Sequence, residues 1–539
     1  MSTCASNSLT SEPMQCMTIP SEQVNARLLQ KKCQAWVPPL IMAVLLLSIV
    51  ALLPLKSVVR IGGDEGYELL KSAMVAHGTP LYTAIWNDQP PLHTLVLSTL
   101  FKLFGASALV GRLTSVAFAI VLMTAVLLSI KREGILTRLL LGALLLCAPT
   151  FLELATSAML ELPAVALGYA SAAVLLTSCN GSRTNSRLVL SGGIFGLALM
   201  VKLTVAMLIP GMLICIAEER FRPSGSWEFT AFLKRVSLWL LAVATVVAIT
   251  FLLCPGLSHS SLTTDHFSAR ARELLGLHPG AHFQPLSVLD QHREAVVAFP
   301  ACLILCLLSS SLRNILFPLC NLIVVLTVLS VHVPYWSFYY LHIGIPLAWL
   351  AAIGISRCFE FCQGAASHER HWASQVGWLC VACALLSFAA VECGSRTSKQ
   401  VFQIRESKTV NQSALISEMQ RRRTNEDYIF SYNPEYVFYS GMSAIPELAV
   451  IPYKRIASGL LDDEKVLGIL ERYRPRELVL KDFLQLPGGW TKFLSTYQIV
   501  AAEDGFALYV LKEPTSSLLN GSPRPVGGFR LLSGELHRE

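Results

Sequence analysis

W-V-P-P-L-I-M-A-V-L-L-L-S-I-V-A-L-L-P-L, Trp36 to Leu55, carries no charge over its whole length. A helix needs about 20 apolar residues to cross the ~30 Å hydrocarbon core of a bilayer, and this run has that length. The unit recurs. Further charge-free runs lie at Leu113 to Ile130, Leu162 to Cys179, Val236 to Cys254, Ala295 to Leu312, Asn314 to Val331, Phe338 to Ser356 and Trp372 to Val391. Shorter ones lie at Leu139 to Leu152, Leu188 to Val201 and Leu203 to Ala217. With 53% hydrophobic residues, 15% charged and a mean hydropathy of +0.53, the 539-residue chain is too apolar for a soluble globular protein. The expected fold class is a polytopic α-helical membrane protein with about eleven transmembrane segments.

Charge sets the orientation. Arg27, Lys31 and Lys32 precede the first run, so the positive-inside rule puts the amino terminus in the cytoplasm. The polar start, Met1 to Gln34, lacks the pattern of a cleavable signal, and the first span is expected to act as its own insertion signal. The stretch Leu188 to Ala217 is either one helix with Lys202 at its middle or two short arms with Lys202 at an outer turn. A mid-bilayer lysine costs roughly 2.5 to 3.5 kcal/mol on insertion scales, which favours two arms. Loop charge agrees: two arms leave Arg220, Arg222, Lys234, Arg235, Arg313, Arg357 and Arg370 inside, against Arg270, Arg272 and Arg293 outside. Gly192, Gly193 and Gly196 thin the first arm, and Pro210 interrupts the second.

Four units follow: a cytoplasmic tail (1–35), a transmembrane region (36–391), an outer-face α/β domain (392–513) and a Ser/Gly/Pro-rich tail (514–539) expected to be disordered. In the third, helical patterns at Asn411 to Arg423 and Asp462 to Tyr473 alternate with extended ones at Tyr428 to Tyr432 and Glu477 to Lys481. Gln498 to Ala502 and Phe506 to Leu511, parted by Glu503-Asp504-Gly505, read as a hairpin. The fifteen cysteines lie mostly in apolar runs and read as small hydrophobes.

This topology gathers chemistry on one face. Asp64 and Glu65 follow the first span, Glu161 precedes the fourth, and Lys202 lies between the arms. Near a helix amino terminus, as in E-L-P at Glu161, a carboxylate is favoured by the dipole, which is its plainer role. Glu65 has an equally plain role as a helix cap. Tyr67 to His77 reads as a helix. After Gly78-Thr79-Pro80 comes Y-T-A-I-W-N-D-Q-P-P-L-H, Tyr82 to His93, and then Leu92 to Phe104, too short to span and expected to lie along the interface. Tyr82 and Trp86 suit an aromatic belt; with Asp88 and Gln89 beside them they also suit hydrogen bonding to a sugar or headgroup. His332, Tyr335, Trp336, Tyr339, Tyr340 and His342 crowd the turn before the tenth span. The loop Pro255 to Glu294 holds five histidines, and His278-x-x-x-His282 has ligand-like spacing broken by Pro279-Gly280. That loop reads better as a lid over the site.

I-G-G-D-E-G-Y-E (Ile61 to Glu68), Y-x-x-x-W-x-x-Q-P-P-L, L-F-G-A-S-x-L-V-G-R-L, A-M-L-E-L-P (Ala158 to Pro163), G-x-x-x-G-L-A-L-M-V-K ending at Lys202 and Y-W-x-x-Y-Y-L-x-x-x-I-P ending at Pro346 occur in this order. The chain thereby resembles the GT-C membrane glycosyltransferases that use polyprenyl-phosphate sugars, the superfamily of protein O-mannosyltransferases and the lipid A aminoarabinose transferase. A departure is Glu161, where many relatives carry aspartate. The resemblance implies transfer of a sugar from a polyprenyl phosphate to a lipid, glycan or protein hydroxyl, with inversion. Asp64 would be the catalytic base, Glu65 its neighbour and Glu161 a second acidic group. Lys202, Arg112 and His332 would contact the donor phosphate, and Tyr82, Trp86, Asp88, Gln89, Tyr335 and Tyr339 the substrates. For Arg112, snorkelling to the interface is the plainer alternative. No cofactor is demanded; a divalent metal stays open. The expected partners are the lipid-linked sugar, its acceptor and membrane lipids, with no nucleic acid, in a bacterial inner membrane with the site facing the periplasm or exterior. A transporter or flippase for lipid-linked sugars is the alternative, although internal repeats and mid-membrane charges are not seen. A polymerase or ligase shares the same donor class.

Overall fold

The structure is a computed structural model that describes residues 21–512 except 62, 178–183, 219–228, 255, 258–272, 274–275, 278–281, 309–311, 365–371, 425–426 and 482–487. The expected 514–539 tail and His278 lie outside the described residues. The amino-terminal part is helical: α1 (Ser21–Ala51), α2 (Asp64–Ala76), α3 (Leu92–Phe104), α4 (Ala108–Ser129), α5 (Ile135–Leu146), α6 (Phe151–Ala155), α7 (Glu161–Leu176), α8 (Thr184–Leu199), α9 (Ile209–Glu218), α10 (Phe229–Leu253), α11 (Ser287–Gln291), α12 (Arg293–Leu308), α13 (Arg313–Val331), α14 (Tyr340–Gly364) and α15 (Trp372–Arg405).

Six helical stretches among the described residues are long and apolar enough to cross a membrane: Gln34–Ala51, Ala108–Ser129, Phe229–Leu253, Asn314–Val331, Ser337–Cys362 and Gln375–Arg405. The chain is a polytopic membrane protein. The remaining expected segments form shorter helices; α7, α8 and α12 have 16 residues each and α5 has 12. At 1.5 Å per residue, 16 residues cover about 24 Å, less than a full hydrocarbon core. Burial differs sharply among the long helices. Ser337–Cys362 is 94% buried and forms the axis of the bundle, packed by α5, α12, α13 and α15, whereas Phe229–Leu253 is 11% buried and turns Leu240, Leu241, Leu252 and Leu253 outward.

Two arms flank Lys202. α8 stops at Leu199, Lys202 is extended (φ −156°, ψ 133°), and a 3-10 turn over Leu203–Leu208 leads into α9 with Pro210 in its first turn, where its missing N–H costs nothing. Gly192 and Gly196 let α8 approach α10: a Cβ at Gly192 would lie 2.5 Å from the Trp239 carbonyl oxygen, while one at Gly193 would meet nothing. The last long helix corrects a boundary. Glu392 ends the apolar run, yet α15 continues to Arg405, and there Arg396 pairs with both oxygens of Glu294 (2.8 Å each) while Gln400 bonds Ala148 O (3.3 Å) and Leu152 N (3.2 Å).

Beyond α15 lies a five-stranded sheet of β1 (Tyr428–Ser431), β2 (Ser443–Ala444), β3 (Glu477–Lys481), β4 (Tyr497–Glu503) and β5 (Phe506–Leu511), in the order β2-β1-β3-β5-β4. β1 is parallel to β2 and β3, and β5 is antiparallel to β3 and β4. Asp504 and Gly505 join β4 to β5 with φ of 52° and 75°, the pair of left-handed residues that a tight hairpin turn demands. Around the sheet run α16 (Ala414–Arg422), α17 (Pro434–Ser440), α18 (Tyr453–Ala457), α19 (Asp463–Tyr473) and α20 (Gly488–Leu494).

Candidate active site

Gly63 is extended and caps α2, which places Asp64 and Glu65 in the first turn, where the helix dipole favours negative charge. The two carboxylates then part ways. Glu65 is buried and receives Arg112 in bidentate fashion, Nε to Oε1 and Nη2 to Oε2 at 2.8 Å each, and its Oε1 also accepts the Ala158 N–H at 3.0 Å. Burial pushes its pKa up, but the Arg112 charge and hydrogen bonds, with Arg60 and the Ala158 N–H, outweigh that and hold it below the usual carboxylate range. Arg112 spends its remaining Nη1 donors on Leu55 O (2.6 Å) and Val58 O (2.9 Å), and Nη2 also lies 3.5 Å from the Tyr439 hydroxyl. Arg112 and Glu65, expected at the donor phosphate and in the acidic site, are both buried here and satisfy each other.

Asp64 stands apart: it is exposed and makes no hydrogen bond or ion pair with a described residue. The surrounding protein mass still raises its pKa by withholding water, an effect that Lys202 opposes and Glu68 reinforces.

Glu161, in the first turn of α7, forms a buried ion pair with Lys202. The Lys202 ammonium also sits 4.8 Å above the Phe338 ring and 5.7 Å from the Tyr339 ring. His332, Tyr335 and His342 lie 5.7, 6.0 and 6.3 Å from Tyr339, ring centre to ring centre. The Leu92 N–H donates to Met200 O (2.9 Å), which fastens the start of α3 to the end of α8 beside Lys202. The structure thus brings Asp64, Glu161, Lys202, Tyr339 and the two histidines to one end of the bundle. Lys202 faces a carboxylate rather than standing free for a phosphate, which the sequence reading had not foreseen.

The Tyr82 to Gln89 loop is engaged differently from expectation. Tyr82 donates to Gln89 O (2.7 Å); Asp88 pairs with Lys454 of α18 at 2.9 Å and lies 3.4 Å from Gln89 Nε2; Arg455 stacks on Trp86 at 5.2 Å. Asp88 and Trp86 therefore join this loop to the carboxy-terminal sheet region. The same seam includes Gly63 N–H to Glu435 (3.1 Å), Tyr67 hydroxyl to Ile451 O (2.9 Å) and Tyr439 hydroxyl to Val58 O (3.2 Å). Gly66 admits the Glu435 side chain there: a Cβ would lie 2.6 Å from its carboxyl carbon, and that side chain would have to move.

A buried network went unread in the sequence. Glu68 contacts Lys71 (2.6 Å) and His93 Nδ1 (3.2 Å), and Lys71 donates to Asn87 (3.0 Å). The spacing of Glu68 and Lys71 was visible, but on a helix read from pattern alone it resembled an ordinary exposed pair. Among the described residues no group of three or more His, Cys, Asp or Glu could hold a metal ion.

Residues 88–253 match a family described as dolichyl-phosphate-mannose-protein mannosyltransferase. No curated protein matches the chain in sequence. Among solved structures, ArnT from Cupriavidus metallidurans bound to undecaprenyl phosphate superimposes with a TM-score of 0.64 at 14% identity, covering 90% of this chain and 99% of that one. The oligosaccharyltransferase of Archaeoglobus fulgidus gives 0.50 at 12% identity, covering 83% of this chain and 69% of that one. The chain thus shares its overall fold with the ArnT structure. The ordered motifs between Arg60 and Pro346 overlap the stretch that matches the mannosyltransferase family model.

Proposed function

We propose that this chain is a glycosyltransferase that moves a sugar from a polyprenyl-phosphate donor to a hydroxyl of a lipid, glycan or protein acceptor. The observation that carries the reading is Asp64, an exposed carboxylate with no hydrogen bond or ion pair to a described residue, while Glu65, Glu68, Asp88 and Glu161 nearby are all bound to basic partners. A base must be free to take a proton, and a pKa raised by burial makes it a better acceptor than an ordinary aspartate. Asp64 takes the acceptor's hydroxyl proton as that oxygen attacks the anomeric carbon. The bond from that carbon to the phosphate oxygen breaks and the polyprenyl phosphate leaves with the electron pair. A single displacement of this kind inverts the anomeric centre. Lys202, with donors beyond the one that Glu161 takes, is positioned to steady the leaving phosphate, and Tyr339, Tyr335 and His332 line the approach. That the ArnT structure holds undecaprenyl phosphate supports this donor class.

The reading includes eleven crossings, a cytoplasmic amino terminus and a site facing the periplasm or exterior of a bacterial inner membrane. It is tested by incubating the purified protein with radiolabelled polyprenyl-phosphate sugars and a membrane extract. Label appearing in an acceptor, and lost in Asp64→Asn, supports it. No transfer from any donor, with lipid-linked sugar instead crossing reconstituted vesicles, overturns it.

A further inference from the structure

Cys147 closes α5 at the bundle end that carries Asp64 and Lys202, and Cys393 lies on the extension of α15 that reaches the same end. Both are free thiols in this structure, and each acts electrostatically on the other. The contact is held from both sides. Cys393, Arg396 and Gln400 recur at helical spacing on one face of α15, and the last two grip the segment that begins at Cys147, through Arg396 to Cys147 O (3.2 Å) and Gln400 to Ala148 O (3.3 Å) and Leu152 N (3.2 Å). The Arg396 to Glu294 pair fixes the helix a turn away. Two cysteines 246 positions apart are thus kept side by side by neighbours that do not depend on them.

We propose that Cys147 and Cys393 form a disulfide in the mature protein. The inference rests on the outer-face placement proposed above, because disulfides persist in oxidising compartments and not beside a reducing cytoplasm. The thiolate of one cysteine attacks the disulfide of an oxidised thiol-disulfide exchange protein of that compartment and forms a mixed disulfide. The thiolate of the other attacks the chain's own sulfur in that bond and releases the exchange protein as its dithiol. Two electrons pass to the exchange protein, and the two protons lost by the cysteines end on its thiols.

A second set of cysteines provides the contrast. Cys302 and Cys306 are hydrogen-bonded on α12, and Cys362 of α14 interacts with Cys380 and Cys383 of α15, all toward the opposite end of the bundle. In the proposed orientation these face the cytoplasm and stay reduced.

The test lyses cells directly into denaturant containing N-ethylmaleimide, so that buried thiols are trapped as well, then digests the full-length protein without reductant for mass spectrometry. The expected result is a linked peptide pair holding Cys147 and Cys393, with Cys302 and Cys380 alkylated. Reduction before trapping should release two further thiols, and Cys393→Ser should leave Cys147 alkylated. Maleimide on both Cys147 and Cys393 in the untreated protein overturns the proposal. A reporter at the carboxy terminus, read in the same cells, separates the causes: an external reporter with free thiols sinks the disulfide alone, whereas a cytoplasmic reporter sinks the outer-face placement with it.

Discussion

The Glu65 to Arg112 pair offers the sharpest test of how the site is built, since the sequence suggests a catalytic acid and a phosphate contact while the geometry makes both structural. Removing one partner of a buried, hydrogen-bonded ion pair costs about 3 to 5 kcal/mol, because the other charge is left unpaired. Arg112→Met also strands the Leu55 and Val58 carbonyl oxygens, adding about 1 to 3 kcal/mol for each. Glu65→Gln keeps the shape and one hydrogen bond but leaves the guanidinium without its counter-charge. The double variant removes both charges, so its loss should fall short of the summed single losses by about 3 kcal/mol or more, a coupling typical of residues in direct contact. Arg112→Lys should sit between wild type and Arg112→Met, because an ammonium cannot reproduce two parallel bonds. Unfolding midpoints in mild detergent measure the stabilities, and donor affinity is read on the fraction that stays folded. An Arg112→Met protein with the wild-type midpoint and weakened donor binding would refute the assignment and return Arg112 to the phosphate.

Asp64→Asn should lower transfer by about 10²- to 10⁴-fold with donor binding retained, measured as single-turnover transfer and donor affinity separately. Because burial raises the Asp64 pKa, its basic form is lost as pH falls at a higher pH than for a free aspartate, so the acid limb of kcat/KM should move downward in pH when Asp64 is better solvated and vanish in Asp64→Asn. Glu477, buried in β3 with neither carboxyl oxygen bonded, has its pKa raised by burial from 4.5 to about 7 against the pull of Arg422 and Arg476. The folded state then binds its proton more tightly than the unfolded one, so this group's contribution to stability falls as pH rises through that window. Glu477→Gln should therefore protect the carboxy-terminal sheet from proteolysis at pH 8 and change little at pH 4; equal effects at both would remove the linkage. Gly66→Ala should loosen the seam between α2 and Glu435, seen as faster cleavage after α15 with the helical bundle intact, and an unchanged cleavage pattern would show that the seam tolerates the methyl group.

What could be read from the chain alone follows the physics of each signal. Lys202 was legible because a charge inside a 30-residue apolar stretch has few affordable positions, and its turn lies where insertion energy puts it. Asp64 was legible from its order among motifs. The pairing of Arg112 with Glu65 was not legible because a contact across 47 positions depends on how α2 and α4 cross, and local pattern carries nothing of that. The partners of Asp88 and Trp86 were hidden for the same reason: Lys454 and Arg455 arrive from more than 360 positions away. The end of α15 was missed because hydropathy reports where a helix leaves the lipid and not where its backbone stops bonding, so Glu392 looked like a terminus.

The seam between α2 and the carboxy-terminal sheet has a consequence in time. Gly63 and Glu435 are 372 positions apart, so a ribosome at roughly 5 to 20 residues per second emits the second about 20 to 75 s after the first. During that interval the Asp64 turn lacks Glu435, Ile451 and Tyr439, and the Asp88 loop lacks Lys454. A nascent chain of that length would carry its apolar helices yet leave the Asp64 turn and the Tyr82 to Gln89 loop without these braces, so this end of the bundle takes its final geometry only once the carboxy-terminal sheet region has folded.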